Sequence, residues 1–412
     1  MPQTQEDPMT VHPGIDLASE SFFADPFPTF ERLRAEAPIY FFEPMQCFLL
    51  SAPADIEAMV KDPRFTARRT RELLAALGML GEDELSKKML DSWSRIAFSQ
   101  DPPRHTRLRQ LIARGFSPAA VESLRPRVAA TVGRAIARAR DEGEMNVLSD
   151  LAEVVAITTI ADMFSIPDAD RPAFMRWSTD IVKPTGGNLT SDEVKRTVKQ
   201  STSDMADYMA RLVEERRKAP RDDVASRFIA AEEESADLQG EAAMQCFQMV
   251  GAGFVTSMNQ IANTVVALLK HPEALARLRQ DPGLLRGAIE EGLRCEPAVL
   301  SINRLCAEDA EIRGVRIAKG GFVFAMTAAV GCDPELFPEP RRFDITRQPN
   351  RHMTFGSGVH YCPGAPLIRI EVEEALRGLL SLGRWELAEE RLSYEGSNFQ
   401  DRGPKSLRVR FS

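Results

Sequence analysis

Phe355-Gly356-Ser357-Gly358-Val359-His360-Tyr361-Cys362-Pro363-Gly364 is the stretch on which the reading of this chain turns. One cysteine, Cys362, sits within a bracket of Phe355, Gly356, Gly358 and Gly364, and an amphipathic helical run follows. Glycines at these spacings allow backbone conformations that a Cβ forbids and let the chain approach a ligand closely. A helix starting just after the cysteine aims its N–H groups and positive dipole end near the sulfur. Both effects lower a thiol pKa and favour the anion that binds metal. The pattern suits a thiolate presented from a stiff loop to a large flat cofactor.

The rest of the composition narrows the class. The chain has 412 residues, 43% of them hydrophobic, enough for a large core. A formal net charge of −8 argues against nucleic acid or an anionic membrane as partner. No basic segment followed by an apolar run marks a secretory signal near Met1. The longest apolar candidate, Val250 to Leu269, is interrupted by Ser257, Asn259, Gln260 and Asn263, so it reads as a buried helix rather than a membrane span. Six cysteines without a C-x-x-C spacing predict reduced thiols and a cytoplasmic protein.

The first twenty residues, with Pro2, Pro8 and Pro13, read as an irregular arm, and residues 21–412 as one domain. Ile39 to Phe42 and Phe48 to Ser51 read as short strands. From Asp101 to about Pro297 apolar residues recur at helical spacing, as in Val121–Asp141, Val147–Phe164 and Ala206–Arg217. Residues 310–327 alternate with glycine punctuation and read as strands. A helix is expected from about Pro366 to Leu382 and a closing strand from Leu407 to Phe411. The expected fold class is mainly α with small β-sheets. Its longest element, from about Gly240 to Lys270, would span about 45 Å.

The cysteine stretch resembles the haem-binding loop of the cytochrome P-450 family, F-x-x-G-x-x-x-C-x-G, with Phe355, Gly358, Cys362 and Gly364 at the fixed positions. The resemblance runs through nearly all of the chain beyond the first twenty residues. It implies haem b as cofactor, with Cys362 as the metal ligand. His105 and Arg109 match an H-x-x-x-R that binds haem propionates; Arg304 and His360 match two further propionate partners. Glu291-Gly292-Leu293-Arg294 matches the structural E-x-x-R, and Arg342 is expected to complete its buried ion cluster. Pro363 supplies no N–H to the sulfur and suits the first position of a helix.

On the long helix, Ala252-Gly253-Phe254-Val255-Thr256-Ser257 resembles the family's dioxygen-binding stretch. Gly253 is expected to leave a notch for dioxygen and Thr256 to offer its hydroxyl there. The family's usual acid is replaced by Val255, which cannot relay a proton. Asn259 and Gln260, one turn on, are candidate substitutes. The resemblance also implies a substrate pocket lined by Phe254, Val255, Val299, Leu300, Ile302 and Phe399, with Met79, Leu80, Trp93 and Phe98 on a segment that closes over it. These apolar side chains suit a largely hydrophobic small molecule.

The expected activity is therefore insertion of one oxygen atom from O2 into such a molecule. Electrons would come from a separate ferredoxin and ferredoxin reductase, for which Arg104, Arg107 and Arg114 are a candidate docking face. Because of Val255, haem-thiolate chemistry of another kind stays open: peroxide-driven oxygenation, oxidative coupling or rearrangement. A haem sensor or carrier would need neither Gly253 nor Thr256. A zinc site on His360 and Cys362 lacks further ligands at the right spacing.

Overall fold

The computed structural model describes residues 14–182, 191–394 and 400–412. Most of the expected N-terminal arm, residues 1–13, lies outside that range, as does Phe399. About 60% of the chain is helical and 10% is strand, in accord with the expected class.

The long helix runs Ala242–Lys270, 29 residues without a proline, and stops where His271 precedes Pro272. Its length and composition would let it cross a membrane, yet 67% of its most apolar stretch is buried inside the protein. It packs against the helices Glu153–Met163, Arg171–Val182, Asp192–Lys218, Leu285–Cys295 and Ala365–Leu380. Burial on nearly every side explains why its apolar residues outnumber those of a surface stripe. The expected Val147–Phe164 helix opens instead with one wide turn, Val147–Ala152, before the α-helix Glu153–Met163.

Among the described residues, ten strands form three small sheets: β1 Ile39–Phe42, β2 Cys47–Leu50, β3 Phe65–Thr66, β4 Glu144–Asn146, β5 Ile302–Cys306, β6 Ala310–Ile312, β7 Val315–Ile317, β8 Phe322–Ala325, β9 Trp385–Leu387 and β10 Arg408–Phe411. The largest has the order β1-β2-β8-β5-β3. Within it β5 runs antiparallel to β8, with Arg304 opposite Val323, so the sheet fixes where Arg304 stands. The chain closes with β10 between β4 and β9.

Leu285–Cys295 carries a buried ion cluster that corrects one expectation. Glu291 accepts from Nε and Nη2 of Arg294, one edge of the guanidinium, at 2.8 and 2.7 Å, and both side chains are fully buried. The third member is Arg347, at 3.1 Å, and not Arg342. Asn350 and the Asp344 N–H complete the carboxylate's shell at 2.9 Å each. Arg342 points outward to Glu339 and gives only its carbonyl to the cluster, accepting from Arg294 and Arg347 at 3.1 Å each. The loop 338–347 turns back on itself, so the backbone of residue 342 faces in while its side chain faces solvent.

Candidate active site

The cysteine loop is built by backbone constraints. Gly356 and Gly358 have φ of +69° and +68°, in the left-handed region that glycine adopts without a Cβ penalty. The loop closes on itself through Cys362 N–H to Phe355 O at 3.0 Å and Tyr361 N–H to Gly358 O at 3.1 Å. Arg369 lies 4.7 Å over the Phe355 ring and holds Glu290 at 2.6 Å, which ties the loop to two helices.

The helix after the loop is Ala365–Leu380, with Gly364 at its cap and Pro366 in its first turn. Pro363 precedes it, so the helix-start role belongs to Pro366. The N–H groups of Gly364 and Ala365, with Arg109 and Arg369, pull the Cys362 thiol down. Burial outweighs them and the net shift is upward, opposite to the expected fall. A bare thiol desolvated here stays protonated until a cation arrives to bind the sulfur.

Above the loop the propionate candidates converge. The His105 and His360 rings lie against each other at 3.9 Å between centroids, tilted by 37°. Burial and the neighbouring arginines push His105 down to about 4 and His360 to about 2, so both are neutral N–H donors. His105 Nδ1 is buried and, among the described residues, has no hydrogen-bond partner. Arg109 donates to Tyr361 O at 2.9 Å and Arg304 to Asn303 O at 2.8 Å.

Sequence reasoning missed a fifth member, Arg69. It is 2% exposed, donates to Ala67 O at 2.7 Å and to the Asn303 side chain, and stands close enough to Arg304 to feel its charge. Burial first, then Arg304, lowers Arg69 to about 9. Among the described residues, the acid acting on Arg69, His105 and Arg304 is Asp101, itself held by Ala67 N–H at 2.8 Å and by the Thr66 hydroxyl. Arg69 follows directly on β3 in the run Ala67-Arg68-Arg69-Thr70, which on sequence resembles any exposed basic turn.

On the long helix, the Thr256 hydroxyl donates to Ala252 O at 2.7 Å, which leaves its oxygen able to accept. Ala252 is exposed in the middle of an otherwise buried helix, so the opening lies at Ala252. Gly253 does not make the expected notch: a Cβ there would lie 2.9 Å from Ile160 Cδ1, so its missing side chain admits the neighbouring helix. Asn259 is 8% exposed and packs against Gly403, and among the described residues no hydrogen bond joins it to Thr256. Gln260 is committed to Glu296 O at 3.3 Å and Ala298 N–H at 3.0 Å. Gln260 is therefore not free for the role given to it from sequence.

The expected pocket residues divide by burial. Phe254 is 2% exposed and packs in the main core, and Leu300 is 0% exposed among the N-terminal phenylalanines. Both leave the pocket set, as does fully buried Met79. Val255, Val299 and Ile302 keep partial exposure, and Phe98 is 47% exposed with Arg69 stacked 4.5 Å over its ring. Three arginines of the helix Arg104–Gly115 are paired with acids of the same chain: Arg104 with Glu241 at 2.8 Å, Arg107 with Asp237 at 3.0 Å and Arg114 with Glu234 at 2.7 Å. That pairing weakens them as a free docking face.

A model of the family described as cytochrome P-450 matches residues 71–393. The chain belongs to the cytochrome P-450 family. It is 36% identical over 393 residues to the cytochrome P-450 monooxygenase PikC of Streptomyces venezuelae, covering 92% of this chain and 89% of that one. It is 32% identical over 388 residues to the 6-deoxyerythronolide B hydroxylase of Saccharopolyspora erythraea, covering 89% and 92%. An epothilone B-bound cytochrome P-450 superimposes with a TM-score of 0.88 at 26% identity, over 97% of this chain and 99% of that one. As a member of this family the protein is a haem b-containing monooxygenase.

The residues of this cytochrome P-450 fit haem b. Among the described residues, three arginines and two imidazoles face one region with Asp101 as their acid, an imbalance that the two carboxylates of a haem would neutralise, and the unpartnered His105 Nδ1 is a polar atom in need of a ligand. Cys362 would hold the iron; Arg69, His105, Arg109, Arg304 and His360 would hold the propionates. When bound, the group supplies an iron for dioxygen chemistry, and a thiolate ligand donates electron density that favours O–O cleavage. Arg304→Leu is expected to weaken haem retention by roughly tenfold to a hundredfold, the worth of one charge-assisted hydrogen bond. It is also expected to stabilise the haem-free protein by relieving repulsion with Arg69. Haem transfer to an acceptor globin and thermal melting of the apoprotein check the two halves.

Proposed function

We propose that this cytochrome P-450 inserts one oxygen atom from O2 into a bulky, mostly hydrophobic small molecule. The substrate class is a secondary metabolite undergoing tailoring, or a xenobiotic, terpenoid- or steroid-like compound undergoing hydroxylation. A ferredoxin and its reductase supply electrons in the cytoplasm, where the six unpaired cysteines stay reduced. The observation that carries the substrate class is the apolar character of Ala252, Val255, Val299 and Ile302, which keep exposure within a buried interior. The names of two relatives, a 6-deoxyerythronolide B hydroxylase and an epothilone B-bound cytochrome P-450, accord with it.

A spectral titration with a library of hydrophobic compounds is expected to yield ligands that displace water from the haem. The best of them is expected to stimulate consumption of reduced cofactor and to carry one oxygen atom from labelled O2. Ligands that bind tightly and are returned unchanged would sink the reading. Val255 favours a second reading, peroxide-driven or rearranging chemistry. Val255→Asp separates the two: a rise in the fraction of electrons recovered in product supports ordinary monooxygenation limited by proton supply, and an unchanged fraction favours the alternative.

A further inference from the structure

Arg402 stands out among the buried charged groups that the site described above does not use. It is 1% exposed, and every edge of its guanidinium is engaged. Nε donates to Phe23 O at 2.6 Å and Nη2 to Ala24 O at 2.9 Å. These carbonyls end the short helix Glu20–Ala24, whose own turns leave them without a donor. Nη1 donates to Glu296, which also accepts from Lys270 at 2.7 Å. The guanidinium lies 4.8 Å over the Tyr394 ring.

The backbone around Arg402 is an antiparallel bridge outside the ten strands. Arg402 N–H donates to Ala298 O at 2.8 Å and Leu300 N–H to Gln400 O at 2.6 Å, so Asp401 stands opposite Val299. The period of two then divides the side chains. Ala298, Leu300, Gln400 and Arg402 are buried on one face, while Val299 and Asp401 share the other and keep partial exposure. Arg402 O accepts from Asn263 Nδ2 at 2.8 Å, and Gly403 lies so close to Asn259 that a Cβ there would run into the amide. Both asparagines belong to the helix that carries Thr256. The segment therefore joins that helix to the stretch that holds Val299 and Ile302, two of the apolar groups kept by the expected pocket.

Resting on the monooxygenase reading above, we propose that Arg402 is a positioning residue for substrate, pinning the register of Gln400–Arg402 on Ala298–Leu300 and so fixing which side chains the cavity presents beside the Thr256 helix. Among the described residues, two backbone bonds pair the segments, too few to set a register by themselves. A slip of one residue would exchange the two faces, turning Leu300 toward the cavity and Val299 into the core. Arg402 forbids the slip, because its guanidinium fits only where the Phe23 and Ala24 carbonyls and the Glu296 carboxylate converge. A buried ion pair adds little net stability over well-packed apolar side chains, and fixing register is its best-attested use. Lysine cannot replace it fully, since one ammonium lacks the planar fork that reaches all three acceptors.

The test uses the haem-loaded protein with Arg402→Met and Arg402→Lys. Two azoles that bind haem iron serve as probes in spectral titrations: imidazole, too small to touch the wall, and clotrimazole, bulky enough to press on it. In Arg402→Met the ratio of the two affinities is expected to shift by roughly tenfold or more, through clotrimazole alone, with the carbon monoxide spectrum unchanged. Arg402→Lys is expected to shift the ratio less and in the same direction. A merely structural role would lower the melting temperature of the variants and leave the ratio where it was. A folded Arg402→Met whose ratio stays within about twofold of the native value overturns the proposal. If Arg402→Met fails to fold, Arg402→Lys decides: a shifted ratio supports the register pin, and a native ratio overturns it. A native protein that binds both azoles and oxygenates no compound defeats the monooxygenase reading instead, and leaves the azole comparison standing.

Discussion

Cys362→Ser is expected to give a folded protein that no longer shows the red-displaced Soret band when reduced under carbon monoxide, and whose product formation falls to background. The loop itself tolerates the change. Its shape comes from Gly356 and Gly358 in left-handed conformations and from the Cys362 N–H to Phe355 O bond, none of which involves the sulfur. What is lost is chemical. The two N–H groups of Gly364 and Ala365, with Arg109 and Arg369 nearby, are arranged to support a negative charge at this atom. Burial opposes that charge, so the anion depends on the metal it binds. A serine hydroxyl is a far weaker acid and a harder ligand, and it cannot donate electron density as a thiolate does. Haem content and the carbon monoxide spectrum measured on the same sample check this. A serine variant that keeps the displaced band would mean that position 362 is not the axial donor.

The features legible in the sequence were those written in local spacing. The bracketed cysteine, the pair Glu291 and Arg294 one helical turn apart, and the long proline-free helix each follow from short-range geometry. Where the chain path decides, spacing carries no signal. Arg341, Arg342 and Arg347 sit in one irregular loop, and only its fold sends Arg347 inward. Leu300 and Phe254 are as apolar as Val299 and Val255, and burial alone separates core from cavity. Glu371 stands in Ile370-Glu371-Val372-Glu373-Glu374, which looks like the charged face of a surface helix. It is buried because other helices cover that face, a fact of tertiary packing with no local trace. Arg69 was hidden in the same way, since its inward turn depends on Asn303, far along the chain.

Arg347→Leu is expected to destabilise the fold by about 3–5 kcal/mol, while Arg342→Leu changes it by less than about 1 kcal/mol. The two arginines are five residues apart in one loop, so the contrast isolates the ion cluster. Glu291 is fully buried, and its carboxylate is balanced by Arg294 and by Arg347, whose side chain is 11% exposed. Removing Arg347 leaves part of that charge uncompensated inside the protein. It also leaves the Pro338, Glu339 and Arg342 carbonyls without the donor that draws the loop together. Arg342 pairs with Glu339 at the surface, with the two side chains 58% and 73% exposed, where water and salt screen the pair. Urea midpoints of the two variants, followed together with release of haem, measure the difference. Because the loop runs from this cluster to the cysteine stretch, haem release in Arg347→Leu is expected to track unfolding, whereas Arg342→Leu behaves as the native protein. Equal midpoints for the two variants would show that Glu291 is satisfied without Arg347, and that Arg294 and the backbone N–H of Asp344 suffice to hold it.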